Sequence, residues 1–247
     1  MTNLTDALPN LPPKQVLLDL LEERKYRTAR RKLWTFFPEI GPLRRELYPK
    51  HLEFFRVGAQ YRERCLMAAN RIGKTEAGAF EATLHLTGLY PHWWEGKRFE
   101  QPIKMWAAGK TNETTRDIVQ AKLLGDITGK GTQDKNVTGT GMLPGDCIGA
   151  ISWKQGVPDL VDTVKIKHVS GGWSKLGLKS YQQGRGSFEG TEQDAIWLDE
   201  EPPADIYGEC LIRTATTQGV VYLTFTPLEG MSETVMSFLP KEYKPDA

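Results

Sequence analysis

Arg64-Cys65-Leu66-Met67-Ala68, continuing as Ala69-Asn70-Arg71-Ile72-Gly73-Lys74-Thr75, is the stretch on which the reading of the fold turns. Its first five residues read as a buried strand. From Lys74 to about Leu86 the chain reads as a helix, with Ala77, Phe80, Ala82 and Leu84 among its apolar positions. The turn between them ends in Gly-Lys-Thr, and a strand before and a helix after give that tripeptide its meaning as a phosphate loop. A helix N-terminus presents free backbone N–H groups and partial positive charge to phosphate oxygens. Gly73 permits close backbone approach, Lys74 supplies charge to the β- and γ-phosphates, and Thr75 supplies a hydroxyl to Mg²⁺. The candidate phosphate-binding set is Ala69, Asn70, Arg71, Ile72, Gly73, Lys74 and Thr75. Ala68 stands where the usual pattern has its first glycine; a left-handed backbone there would cost alanine about 1 kcal/mol. The plainer alternative, a surface turn that starts a helix, leaves Asn70 and Arg71 without a task.

A second motif lies far downstream, at Asp194-Ala195-Ile196-Trp197-Leu198-Asp199-Glu200-Glu201-Pro202-Pro203. Apolar residues carry the chain through a sheet, and carboxylates follow at the strand's C-terminal end, where α/β sheets bind ligands. Asp199 is placed to hold Mg²⁺ as an oxygen ligand. Glu200, one residue on, is placed to polarise a water against a γ-phosphate. Pro202 and Pro203 end the strand without needing N–H partners. A solvated acidic turn is the competing reading, and the upstream Lys74-Thr75 in the expected order weighs against it.

Between and around these motifs, strand and helix patterns alternate. Ile103 to Ala108, Ala195 to Leu198 and Val220 to Phe225 read as core strands, and Leu47 to Phe55 as a short amphipathic helix. Two alternating runs flank Ser170-Gly171-Gly172 and predict a hairpin. Residues 125–150, rich in Gly, Thr and Asp, read as loop. The sum is an α/β fold with a mainly parallel central sheet flanked by helices. Residues 1–45 read as a helical lead segment and 46–247 as the main domain. In the lead, Lys14 to about Phe36 predicts a helix with Val16, Leu17, Leu20 and Leu21 on one face. Arg24, Lys25, Arg27, Arg30, Arg31 and Lys32 form either a solvated face or a patch for DNA or a partner.

Composition narrows the class. Of the 247 residues 39% are hydrophobic and 26% charged, as in ordinary globular proteins. A net charge of +1 means that any nucleic-acid contact comes from a local patch. Cys65, Cys147 and Cys210 are odd in number and lack metal-site spacing, which argues against a disulfide framework or a zinc site. No apolar run is long enough to span a membrane.

Together with Leu47 to Phe55, the segments Met67 to Gly78 and Gly190 to Pro202 resemble large terminase subunits of tailed bacteriophages. Leu223-Thr224-Phe225-Thr226-Pro227 resembles that family's coupling motif. These matches span roughly residues 47–230, and their order makes them specific together. The resemblance implies an additional-strand, RecA-like P-loop ATPase that uses ATP and Mg²⁺ to drive double-stranded DNA into a procapsid. It implies a portal protein and a small terminase subunit as partners and work in the host cytoplasm. It also implies a homo-oligomeric ring when assembled and a monomer for the isolated domain. Arg71 matches a basic position that senses or stabilises the γ-phosphate, Glu200 the catalytic glutamate, and Thr224 and Thr226 the coupling segment. His51 stands near the place where the family often has a glutamine for adenine. The family's C-terminal nuclease has no counterpart before Ala247, so DNA cleavage is not expected of this chain.

Hydrolysis by such motors needs an arginine near the transferring phosphoryl group. Arg71 is the candidate in cis; Arg185 and Arg213 are candidates to act on a neighbouring subunit's site. Two rival readings stand beside this one. Asp199-Glu200-Glu201 resembles a superfamily-2 helicase box, although such helicases need two RecA-like domains. The altered first loop position also allows a nucleotide-binding scaffold without turnover. No NKxD motif is present to support a GTPase.

Overall fold

A computed structural model describes residues 14–29, 32–129, 134–228, 230–240 and 242, with the backbone alone at 22–29. In chain order the chief elements are α1 (Lys14–Ala29), α2 (Pro49–Val57), β1 (Glu63–Met67), α3 (Lys74–Thr87) and β2 (Lys104–Gly109). There follow α4 (Asn112–Thr114), a π-helical stretch (Thr115–Gln120), α5 (Ala121–Leu124), and the short strands β3 (Ile127–Thr128) and β4 (Asn136–Val137). The chain continues through β5 (Ile148–Trp153), β6 (Val161–Lys167), β7 (Trp173–Ser180), β8 (Ala195–Asp199), α6 (Ala204–Ala215), β9 (Val220–Phe225) and α7 (Glu233–Phe238).

The main sheet has seven strands in the order β1-β9-β8-β2-β7-β6-β5. From β1 to β7 all neighbours are parallel, and β6 and β5 add an antiparallel edge. Every residue of β8 and β9 is buried. Central parallel strands are covered on both faces, which is why these segments read as unbroken apolar runs rather than alternating ones. The strand β9 lies between the strand that feeds the Gly-Lys-Thr turn and the strand that ends in Asp199. This is the additional-strand arrangement that the resemblance implied, and it brings three strand ends together at one edge.

Two cores sandwich the sheet. On one face Phe54 and Phe55 of α2 and Ala77, Phe80 and Leu84 of α3 pack over Met105, Leu176 and Tyr222. Leu33 and Phe37, from the segment before α2, are buried in this same core. On the other face Ile206, Tyr207 and Cys210 of α6 cover Ile196, Leu198 and Leu223. Gly78 of α3 lies where an added Cβ would stand 2.3 Å from the Trp197 ring. The helix therefore sits directly on β8, a closeness that only glycine allows.

Some local expectations change. The first helix ends at Ala29 rather than near Phe36, and Lys32–Thr35 form a separate 3₁₀ turn. Val16, Leu20 and Leu21 are 43%, 52% and 51% exposed, so that apolar stripe does not join the core. Arg30 and Arg31, and the side chains of Arg24, Lys25 and Arg27, lie outside the described residues; Lys32 pairs with Glu76 at 3.6 Å. The predicted hairpin is present as β6 and β7. The loop read over 125–150 holds the β3–β4 pair and the start of β5. Among the described residues no helix is long and apolar enough to cross a membrane.

Candidate functional site

The site forms where β1, β9 and β8 end. Pairing in register sets Met67 beside Phe225 and Thr224 beside Asp199, so the residues just beyond these strands share one rim. After Met67 the backbone turns through Arg71, at φ 65°, and Gly73, at φ 86°, into α3. Ala68 is not among the left-handed residues, so the substituted first loop position carries no backbone penalty. The left-handed turn falls on Arg71 instead. An arginine in that region costs about 1 kcal/mol or more, and such strain clusters at ligand clamps and active sites. Glu200 is left-handed too, at φ 68°, and its N–H donates to Thr224 O at 3.1 Å. The backbone therefore bends sharply between Asp199 and Glu200.

Side chains knit the three strand ends. Thr75 Oγ1 lies 3.1 and 3.2 Å from the two oxygens of Asp199, and Thr224 Oγ1 donates to Asp199 Oδ1 at 2.7 Å. The Thr224 hydroxyl in turn accepts from Trp197 Nε1 at 2.7 Å, which leaves its hydrogen for the carboxylate. Lys74 Nζ donates to Ala69 O at 2.7 Å and to Thr226 Oγ1 at 2.8 Å. Thr226 Oγ1 also shares contacts with Ala68 O at 2.9 Å and Asn70 Oδ1 at 2.8 Å. Two hydrogen-bonded groups thus meet at the rim: Asn70, Lys74 and Thr226 in one, Thr75, Asp199 and Thr224 in the other.

Electrostatics follow from burial. Asp199 is 2% exposed, and burial pushes its carboxyl up to about 7 against the help of the Thr224 and Thr75 hydroxyls. Desolvation lowers the Lys74 ammonium, opposed by Glu200 and Asp199. The two glutamates differ. Glu201 accepts from the Ser232 hydroxyl at the start of α7, whereas the Glu200 carboxylate takes no hydrogen bond among the described residues. Among the described residues no group of three or more His, Cys, Asp or Glu side chains stands ready for a metal. A Mg²⁺ ion bound chiefly through substrate phosphates and water needs only one or two protein oxygens. Thr75 and Asp199 supply that donor set.

Beside the loop opens a cavity of about 580 Å³, lined by Phe37, Tyr48, His51, Arg71, Ile72 and Gly73 among others. Its size and aromatic walls suit a small organic ligand. His51 is 7% exposed; burial lowers its pKa, and its ring reaches the backbone of Ile72 and Gly73. Sequence reasoning missed Tyr181, whose hydroxyl lies 2.9 Å from Asp199 O and 3.1 Å from Glu200 O. No motif surrounds that tyrosine; only the parallel alignment of β7 with its neighbours brings it there.

Arg185 and Arg213 have a structural task that the sequence did not reveal. Arg185 Nη2 is 3.0 Å from Glu209 Oε2, and Arg213 Nε is 3.0 Å from Glu209 Oε1. Glu209 is 3% exposed, so two arginines compensate one buried carboxylate. Neither joins the hydrogen-bonded groups of Lys74 or Asp199.

Residues 65–246 match the family described as terminase large subunit, T4likevirus-type, N-terminal. The chain is 39% identical over 247 residues to the terminase large subunit of Salmonella phage P22, covering 92% of this chain and 46% of that protein. It therefore spans about half the length of that relative. Among solved structures, the large terminase of the thermophilic bacteriophage D6E, described in complex with ADP, has a TM-score of 0.43 and 14% identity. That alignment covers 81% of this chain and 38% of the other. The HK97 bacteriophage large terminase has a TM-score of 0.48 and 13% identity over 82% of this chain and 37% of the other. With the family match running from β1 past β8 and β9, and with the P22 relative aligned over nearly the whole chain, this protein belongs to the large terminase subunit family.

Proposed function

We propose that this chain binds ATP with Mg²⁺ and hydrolyses it to drive double-stranded DNA into a viral procapsid. The observation that carries the reading is the meeting of Lys74, Thr75, Asp199 and Thr226 at adjacent strand ends, from segments far apart in sequence. In this reading the loop from Ala69 to Thr75 wraps the phosphates with backbone N–H groups at the α3 N-terminus. Lys74 exchanges its contacts with Ala69 O and Thr226 for the β- and γ-phosphate oxygens. Thr75 and Asp199 would hold Mg²⁺, which would supply positive charge to the phosphates. Glu200, which follows Asp199 through a left-handed backbone and whose carboxylate takes no hydrogen bond among the described residues, orients the attacking water.

Arg71 sits on the loop's rim and is the cis candidate to stabilise the transferring phosphoryl group. Arg185 and Arg213 act in trans only if a neighbour's surface draws them from Glu209. Thr224 of β9 contacts Asp199, and Thr226, just beyond the strand, contacts Lys74, so β9 and its exit touch both halves of the site. Movement of β9 on hydrolysis is then the route by which chemistry reaches bound DNA. A portal protein, a small terminase subunit and further copies in a ring complete the machine in the host cytoplasm. Residues 1–45 lead into the ATPase domain at 46–247, with Leu33 and Phe37 of that lead docked in its core. Release of phosphate from ATP, measured with and without duplex DNA, tests the proposal.

A further inference from the structure

The face of the sheet that α6 covers over β8 and β9 continues across β2, β7 and β6, and there its residues turn polar. Register pairing puts Lys104 of β2 opposite Lys175 of β7, and Lys175 opposite Lys165 of β6. All three are exposed. Their neighbours on the core side, Met105, Leu176, Val164 and Ile166, are buried, so the pleat places the lysines on the outer face. Lys167 lies on the same face two residues further along β6, beside the exposed Trp173. Lys179 follows on β7, with its ammonium 4.5 Å from the Trp106 ring centre. Like charges directly opposite one another weaken a sheet. A row of three lysines across three neighbouring strands is therefore a cost to the fold on its own. Acidic groups offset little of it. Glu192 is 3.7 Å from Lys104 and is itself 56% exposed; Asp162 faces Lys179 and Lys154; Glu189 is drawn to Arg185 at 3.7 Å.

We infer that this lysine row is the surface on which the motor grips the phosphate backbone of duplex DNA. The spacing fits, because adjacent strands are about 4.8 Å apart. The three ammonium groups, on flexible stems, thus cover a span of about 10 Å, enough to reach successive phosphates of one DNA strand. Contact is to the backbone, as a packaging enzyme that must handle any sequence requires. A mechanical link to the chemistry exists. Strand β7 runs from Lys175 through Lys179 directly to Tyr181, whose hydroxyl holds the backbone oxygens of Asp199 and Glu200. A shift at the acidic strand end is transmitted along β7 to the lysines.

The inference rests on the proposed DNA-packaging function, and its test separates the two. Binding of a short blunt DNA duplex is followed by fluorescence anisotropy across a salt series, for the wild type and for Lys104→Gln/Lys165→Gln/Lys175→Gln. Binding of a fluorescent ATP analogue is measured on the same samples. The substitutions are at exposed strand positions, and unchanged analogue binding certifies the fold. The expected result is a weaker duplex affinity, with the slope of log K against log salt reduced by about 0.9 for each lysine removed. A single Lys165→Gln should produce about one such step. Equal affinity and slope in the wild type and the triple variant would overturn the inference and leave the ATPase reading intact. Absence of duplex binding by the wild type would overturn it as well. If the triple variant keeps its duplex binding but loses binding to an acidic partner protein, the surface serves that protein and not DNA.

Discussion

Thr75 and Asp199 are 124 positions apart in the chain, yet the threonine hydroxyl lies 3.1 and 3.2 Å from the two carboxylate oxygens. One residue opens α3 and the other ends β8, with β9 between their strands. The contact sets a carboxylate in a buried place where its own charge is costly.

Asp199→Asn should reduce Mg²⁺-dependent nucleotide affinity by roughly 10-fold or more, as loss of a metal-site group does. A Mg²⁺ titration of fluorescent-nucleotide binding reads this, and an unchanged midpoint would remove Asp199 from the site. The same residue predicts a pH effect in metal-free buffer with chelator. Its carboxyl is raised from 3.8 to about 7 in the folded protein, so between those values the folded state keeps a proton that the unfolded state has lost. Its contribution to stability is then fully present below about 4, is lost as pH rises towards 7, and stays lost above. Asp199→Asn should therefore stabilise the apo-protein at pH 8, by on the order of a few kcal/mol, and change little at pH 4. Denaturant melts of both proteins at the two pH values decide it.

Thr224→Val should be more harmful than Thr224→Ser. Valine leaves the buried Trp197 Nε1–H without its acceptor and removes a hydrogen bond from Asp199. Leaving such a group unpaired costs about 1–3 kcal/mol. Urea midpoints should fall for valine and recover for serine. Equal stability of the two variants would mean that the hydroxyl bridge carries no weight.

Glu200→Gln should keep ATP binding while slowing hydrolysis by about 10²-fold or more, in line with loss of a water-orienting base. Glu201→Gln should retain most of its turnover, because Glu201 is tied to Ser232 at the start of α7. The reverse pattern would move the catalytic carboxylate one residue along.

An arginine supplied by a neighbour accelerates such reactions by roughly 10³ to 10⁵. If Arg185 or Arg213 is that residue, turnover per molecule should rise with protein concentration, or with added portal and DNA. Arg185→Ala or Arg213→Ala protein mixed with Glu200→Gln protein should then regain activity. Since Glu209 holds both arginines, a fall in thermal stability should accompany either alanine variant. Fast turnover independent of concentration would instead assign the role to Arg71 in cis.

Much of this site was readable in the sequence because its parts are local. A strand, a Gly-Lys-Thr turn and a helix follow one another without interruption, and an apolar run ends in carboxylates. What could not be read depends on strand order or on backbone state. The left-handed turns at Arg71 and Glu200 carry no glycine to advertise them. Tyr181 reaches the acidic strand end only because β7 lies parallel to β2 and β2 to β8. The pairing of Arg185 and Arg213 with Glu209 needs the placement of α6, which no local pattern gives. The start of β5 was hidden at the end of a Gly-, Thr- and Asp-rich run that read as loop. The first helix misled differently: its apolar stripe is real in the sequence, but no described part of the chain covers it.

The most direct measurement is phosphate release from ATP by the wild type and by Lys74→Ala, at matched concentration with Mg²⁺ and duplex DNA present. Lys74 is the fixed charge at the loop, within 2.8 Å of Thr226 and 2.7 Å of Ala69 O, and no other lysine stands in that turn. The account predicts measurable release by the wild type, none above background for Lys74→Ala, and weakened binding of an ATP analogue by the variant. Release by Lys74→Ala at the wild-type rate would contradict the assignment of this turn as the phosphate-binding loop.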